Sequence, residues 1–450
     1  MTIATINRFI TLFSGALEAL SARVPITEIE RLAMLIHQSM DQGRRTYHVS
    51  THVFDMCEGM KPRQVLATLF HDVVYYQLDG GFPQQAHRLL MRSIRVEQQT
   101  LMIRAIGEND TGLALCAGVF GFRPGEILPL YGGMNEFLSA VVAVRLLEPH
   151  LPPKELLAIA ACIEATVPFR GVAANGTGPY DRLADRLRRV SGSLGIVVSE
   201  MDIDTMVKDA LIMANRDVAS FAEADPGTFL ATTWLLIEES NAPLSAIGIY
   251  SIQDYRGALG RMEKFLSTLN PDHVFHRYGG TPTDEQFAAL LAGARKNLAF
   301  ATQYLGAKIV SISVIEALAL LTGGNCPVSM FLGDIRSAYG KPDRAEDFLP
   351  RVPGTEPVDE QLVTVLERGR SKESANDLTV SPLTAFVYRY LGHDGTARAL
   401  LSAKEMFAGN LPAMEYLRGL NADMVRALIG ACARIALSRE VALRALDKAL

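Results

Sequence analysis

A chain of 450 residues that is 49% hydrophobic and 21% charged is long enough for two domains with cores of their own, and too apolar for disorder to be a main theme. Its formal charge of −5 leaves no basic footprint for nucleic acid, and its one dense basic stretch, Arg182 to Arg189, is interrupted by Asp185 and reads as a solvated helix face. Five scattered cysteines (Cys57, Cys116, Cys162, Cys326 and Cys432) stand nowhere in CxxC spacing, which argues against a disulfide framework or a structural zinc site and fits a reducing cytoplasm.

The N-terminal stretch has no basic region ahead of a cleavable apolar core, and no run approaching 18 uncharged apolar residues is expected anywhere, so neither a signal peptide nor membrane spanning is predicted. Apolar residues recur at intervals of three and four without an alternating strand pattern. The chain therefore reads as all-α. In chain order the spacing predicts helices over 27–42, 48–59, 62–76, 84–105, 135–148, 153–166, 179–193, 200–222 and 226–238, with Pro25 and Thr27 before an acidic turn at Glu28 and Glu30, Pro62 opening the third, and Pro168 closing the sixth. Further helices are predicted over 244–269, 283–306, 308–321, 359–370, 381–391, 395–418 and 421–448. Loops are signalled at Gly171–Pro179, Gly279–Pro282 and Gly340–Pro357. No fixed-period repeat is visible. A boundary near Asn241-Ala-Pro243 divides the chain into residues 1–242 and a C-terminal α-helical domain, 243–450, of unassigned role.

Chemistry concentrates in the first part. His71 and Asp72 interrupt the apolar run Val65–Tyr76, and an unpaired buried carboxylate costs several kcal/mol, so a cation, a metal or a dense hydrogen-bond set is expected beside it. A satisfied His-Asp pair in the core is the bland alternative. His48 and His52 are four apart and, on a helix, would share a face, one binding a metal while the other donates a proton. Arg44 and Arg45 just upstream are candidates to hold an anionic oxygen. Asp217 falls on a face with Ile203, Ala210, Ala214 and Phe221, while Arg216 points about 100° away. Glu164 lies on the apolar stripe of its helix with Leu157, Ala160 and Ala161, and Glu136 shares a face with Ser139, Ala140 and Ala143; each is either a site carboxylate or a structural acceptor, and the first-turn position of Glu136 also suits the helix dipole.

Three ordered motifs, Tyr47-His-Val-Ser-Thr-His52, Phe70-His-Asp-Val-Val-Tyr75 and Asn135-Glu-Phe-Leu-Ser-Ala140, with a late helical Asp, resemble the HD superfamily of metal-dependent phosphohydrolases over about residues 26–240. The resemblance is to members with Tyr-His-Asn-x-x-His, Phe-His-Asp-x-x-Tyr and Asn-Glu-x-x-Ser-Ala motifs; the first motif is also similar to that of class I cyclic-nucleotide phosphodiesterases. It implies an HD-type helical bundle with His52, His71, Asp72 and Asp217 as metal ligands and His48 as general acid. Val49 departs from the usual Asn, and the closing pattern Ala-Asp-x-Leu can be registered on Ala214-Asn-Arg-Asp, with Asn215 in place of Asp217, or on Ala184-Asp-Arg-Leu187, where Asp185 lies in a charge-rich helix, so the closing position is left open between Asn215 and Asp217.

The expected function is therefore that of a cytoplasmic metal-binding hydrolase, a phosphohydrolase in which metal-activated water attacks a small-molecule phosphoester, possibly a nucleotide. Arg45, Glu136 and Glu164 support His48, and Mn²⁺, Mg²⁺, Fe or Zn²⁺ is present as one ion or two. Two rivals stand beside it: a scaffold on the same fold, and a diiron oxygenase. No nucleic acid or membrane partner is expected, and a homo-oligomer is left open. His273-x-x-His276, His393-Asp394, His37, His87 and His150 read as structural or surface histidines, and Trp234 as a core anchor.

Overall fold

A computed structural model describes residues 3–41, 43–98, 100–245, 249–334, 342–352, 356–371 and 377–450. The chain forms two compact units: Met1–Ala222 with Asn270–Ala292, and Glu223–Leu269 with Gly293–Leu450. The division falls 20 residues before the boundary expected at 242 and is crossed three times, because residues 270–292 return to the first unit.

The first unit contains α1 (Thr5–Ala19), α2 (Ile26–Met40), α3 (Ser50–Cys57), α4 (Pro62–Phe70), α5 (Tyr76–Asp79), α6 (Gln84–Ser93), a hairpin of β1 (Ile94–Glu97) and β2 (Thr100–Ile103), α7 (Thr111–Phe120), α8 (Met134–Leu147), α9 (Pro153–Ala165), α10 (Pro179–Leu194) and α11 (Glu200–Asp217). At its centre is α9, buried at every position from Leu156 to Ala165 and packed against α4, α7, α8, α10 and α11. A helix apolar all round has to sit in a core, and this one organises the site-bearing helices around it.

Several boundaries differ from the expected ones for local reasons. Helix α1 was not anticipated, yet Phe9, Phe13, Ala16 and Leu17 form a buried stripe at helical spacing. Nor was α7, which Asp110 opens by accepting from the Leu113 N–H and Gly121 closes in the left-handed conformation. The helix expected over 84–105 stops at Ser93. Ile94-Arg-Val-Glu and Thr-Leu-Met-Ile pair antiparallel instead, Ile94 opposite Ile103, with Ile94, Leu101 and Ile103 inward. β-branched residues in alternation suit that pleat better than a helix.

The second unit is built from α12 (Pro226–Glu239), α13 (Ile252–Thr268), most of α14 (Asp284–Thr322), α15 (Ser329–Leu332), α16 (Glu360–Arg368), α17 (Pro382–Phe407), α18 (Ala413–Arg418), α19 (Ala422–Ile435) and α20 (Glu440–Ala449). The two helices expected over 283–321 are one, α14, of 39 residues. By length and composition α14 could cross a membrane, which the sequence expectation missed; 83% of its most apolar window is buried within the chain, as in the core helix of a globular body. The helix expected to start at 244 meets positions 246–248, outside the described residues, and the expected loop over 340–357 includes 340–341 and 353–355, which also lie outside them. In α17 the backbone turns at Gly392, φ 64°, where a Cβ would approach the Pro357 carbonyl oxygen to 2.9 Å. His393 and Asp394 follow that kink and are exposed. All five cysteines are buried and unpaired.

Candidate metal centre

The apolar run that ends in the His-Asp dipeptide is a helix only as far as Phe70. His71 caps α4, with its N–H donating to the Ala67 carbonyl, and Asp72 lies in the turn that follows, so the predicted helix over 62–76 is corrected. Likewise α3 begins at Ser50, which leaves His48 in the bend before it; His48 and His52 do not share a helix face. Without an i,i+4 constraint, the two rings meet edge to face with centroids 6.1 Å apart.

Three segments bring the ligand atoms together. His52 from α3, His71 and Asp72 from the end of α4 each offer one atom, all within 4.8 Å of one another. Asp217, the last residue of α11, adds Oδ1 at 3.1 Å from His52 Nε2 and 3.8 Å from His71 Nε2. α11 is held against α4 by Lys61 Nζ donating to Asp209 Oδ1 at 2.6 Å and Gln64 Nε2 donating to the Asp209 carbonyl at 2.8 Å. Asn215, the other candidate for the closing position, faces elsewhere: its side chain bonds to the backbone of His276.

The most telling pair is His71 Nε2 and Asp72 Oδ2. They stand 2.8 Å apart, yet both are buried and neither is aligned for a hydrogen bond. Two buried atoms converging in this way also have the spacing of neighbouring ligands on one ion, which roughly 2.0–2.3 Å bonds at about 90° would place about 3 Å apart. His71 Nδ1 lies 2.8 Å from the Thr68 carbonyl oxygen, which can only accept, so Nδ1 carries a proton and, in the neutral ring, Nε2 is the nitrogen free to bind a cation. These residues therefore fit a divalent cation. In its absence the carboxylates act on the ring: burial opposes charge on His71, but Asp72 and Asp217 raise it to about 9. Burial works against the Asp72 carboxylate too, and His71, His48 and His52 still hold it well below the usual range.

Glu136, near the start of α8, feels the same two carboxylates. Burial pushes its carboxyl up to about 7, with Asp72 and Asp217 adding to the rise. His48 is close enough to lower Asp72, and its ring lies between those of Tyr47 (4.8 Å) and Tyr75 (4.9 Å).

Two predicted residues have other work. The Arg45 side chain is wholly buried, with Nε and Nη2 on Asp79 at 3.0 and 2.6 Å and Nη1 on the Asp72 carbonyl oxygen at 2.7 Å, so it braces the dipeptide's backbone instead of holding an anionic oxygen. Glu164 was expected to face the centre; its Oε1 instead accepts from both Arg170 and Arg186, and Oε2 from Arg170 at 3.3 Å. An apolar stripe marks burial, and burial of a carboxylate is satisfied here by guanidinium groups that sequence spacing did not connect to it.

Sequence reasoning also missed what the third motif does. Asn135 Oδ1 accepts from the Tyr76 N–H and Ser139 Oγ from the Val74 N–H, both at 3.1 Å, so these two residues pin the turn that follows Asp72. Their spacing of four on α8 was the available signal. His87 is exposed and His150 partly so; neither is among the grouped ligands. Comparison with family models, curated proteins and solved structures finds no match to this chain.

Proposed function

We propose that the first unit is an HD-type metal-dependent phosphohydrolase acting on a small-molecule phosphoester. The observation that carries this reading is the buried, unaligned pair of His71 Nε2 and Asp72 Oδ2, with His52 and Asp217 facing the same point. His52, His71, Asp72 and Asp217 would hold a divalent cation, which when bound supplies Lewis-acid stabilisation of phosphoryl oxygens and a more acidic water.

The chain's own groups account for the proton traffic. His48, outside the ligand set and flanked by two tyrosine rings, is the donor to the leaving oxygen. Glu136, with a carboxyl that titrates at about 7, accepts a proton from the attacking water near neutral pH. Arg45, Asn135 and Ser139 hold the backbone from Asp72 through the turn that follows it, which fixes where the Asp72 carboxylate stands.

The test is reconstitution of the purified chain with Mn²⁺, Mg²⁺, Fe²⁺ or Zn²⁺, followed by metal analysis and a screen of nucleotides, cyclic nucleotides and generic phosphoesters. Stoichiometric metal with metal-dependent phosphate release is expected. Absence of bound metal would leave a self-satisfied His-Asp core, and two irons with oxygen-dependent turnover would replace hydrolysis by oxidation.

A further inference from the structure

The last turn of a helix has no following turn to hold it, because its final carbonyls lack intrahelical donors, so side chains placed there fray unless something outside the helix fixes them. Asp217 is the last residue of α11, and the Val218 N–H reaches the Ala214 carbonyl only at 3.4 Å. A ligand set that depends on Asp217 needs an external hold on that turn.

One exists. Two residues before Asp217, and about 200° around the helix from it, Asn215 makes a two-point clamp: Nδ2 donates to the His276 carbonyl oxygen at 2.9 Å and Oδ1 accepts from the His276 N–H at 3.1 Å. His276 belongs to the segment Asn270–Ala292 that returns to the first unit. That segment is itself seated on neighbouring elements. The His276 ring is 5.5 Å from Tyr180 of α10, the His273 ring lies where a Cβ on Gly171 would come within 2.7 Å of it, and the backbone of Gly279 packs onto Lys208, two turns back along α11. The gripped segment thus has contacts of its own with α10 and α11.

We propose that Asn215 is a positioning residue for the metal centre: by gripping the main chain of the returning segment, it sets the rotation of the last turn of α11 and so the reach of Asp217 toward His52 and His71. The inference rests on the metal-centre reading above. It also gives the Asn of Ala214-Asn-Arg-Asp a role that does not compete with Asp217 for the ion.

Mn²⁺ titration of the full chain tests it, by calorimetry at fixed pH, together with melting curves in chelator and in saturating Mn²⁺. Asn215→Ala is expected to weaken Mn²⁺ binding about 10- to 100-fold, as loss of a group that orients a ligand does. The extra melting temperature gained from Mn²⁺ should shrink with it. His276→Ala keeps both main-chain atoms that Asn215 grips and loses only the ring's seat on Tyr180, so it is expected to weaken Mn²⁺ binding less than Asn215→Ala does. His276→Pro removes the donated N–H without touching α11 and should weaken binding severalfold, which keeps the test open if Asn215→Ala does not fold. Unchanged affinity in both Asn215→Ala and His276→Pro would overturn the proposal, as would a melting loss in Asn215→Ala that is equal with and without Mn²⁺. If the wild type itself takes up no Mn²⁺, Fe²⁺ or Zn²⁺, the reading beneath it fails first.

Discussion

The two units each bury a cluster of charge, and the clusters are built in opposite ways. In the second unit Lys308 of α14 donates to Ser381 at 3.1 Å and to Asp377 at 3.3 Å and sits 4.4 Å from the Trp234 ring; Arg370 lies over the same ring at 4.1 Å and donates to Tyr304 and to the Leu378 carbonyl. Cations there share one carboxylate, Asp377, and otherwise meet hydroxyls, a carbonyl and aromatic faces, with Arg370 Nε left without a hydrogen-bond partner among the described residues. In the first unit His71 Nε2 and Asp72 Oδ2 converge at 2.8 Å, with His52 and Asp217 beside them. Buried charge by itself therefore says little about function. Imidazole and carboxylate atoms brought from three segments to a common point are the discriminating feature.

The largest expected contrast comes from removing one acid. Asp72→Ala should abolish stoichiometric metal binding while leaving the far-UV circular dichroism of a helical chain intact; a variant that still holds one equivalent would take Asp72 out of the centre. Next comes His48→Ala, expected to keep the metal and lose about 10²- to 10⁴-fold in turnover of esters with poor leaving groups. Much less should be lost with an activated aryl phosphate. Metal loss in that variant would make His48 a ligand.

On the other side of the comparison, Lys308→Met should leave metal content unchanged and destabilise the chain by about 1.5–3 kcal/mol, the cost of a charged hydrogen-bond partner removed from a buried site. Denaturant unfolding reads this directly, and an unaltered midpoint would show that the second cluster is not the internally partnered device described above.

The smallest effect is graded with pH. A proton and a cation compete for His71 Nε2, and the metal-free ring titrates at about 9, so apparent affinity should rise about tenfold per pH unit up to that value and level off above it. The sign for the metal-free fold is the reverse. A histidine raised from 6.5 to about 9 contributes stability that is fully present below pH 6.5 and is lost as pH climbs through 9, so the melting temperature of chelated protein should fall across that window. A pH-independent affinity would mean that His71 does not give up a proton when metal binds.

Much of the fold was legible in the residues themselves. Periodicity of three and four identifies a helical chain, Pro62 marks where α4 starts, and the dipeptide inside an apolar run announces a buried charge in want of a partner. Helix geometry also separates Asp217 from Asn215, because two residues along a helix point to different sides.

Partnership over long sequence distance was not legible. Glu164 and Asp72 are both carboxylates in apolar surroundings, and only the three-dimensional packing brings Arg170 and Arg186 to one and His52, His71 and Asp217 to the other. The same holds for Arg45, whose partners lie 27 and 34 residues away, and for residues 270–292, which leave the first unit in sequence and return to it in space. Local sequence determines where the chain coils and which side of each helix is apolar, since those follow from dihedral preference and burial within a few residues. Which buried carboxylate meets guanidinium groups, and which meets imidazoles and a second carboxylate, depends on how helices far apart in the chain pack, and the tertiary structure alone decides that.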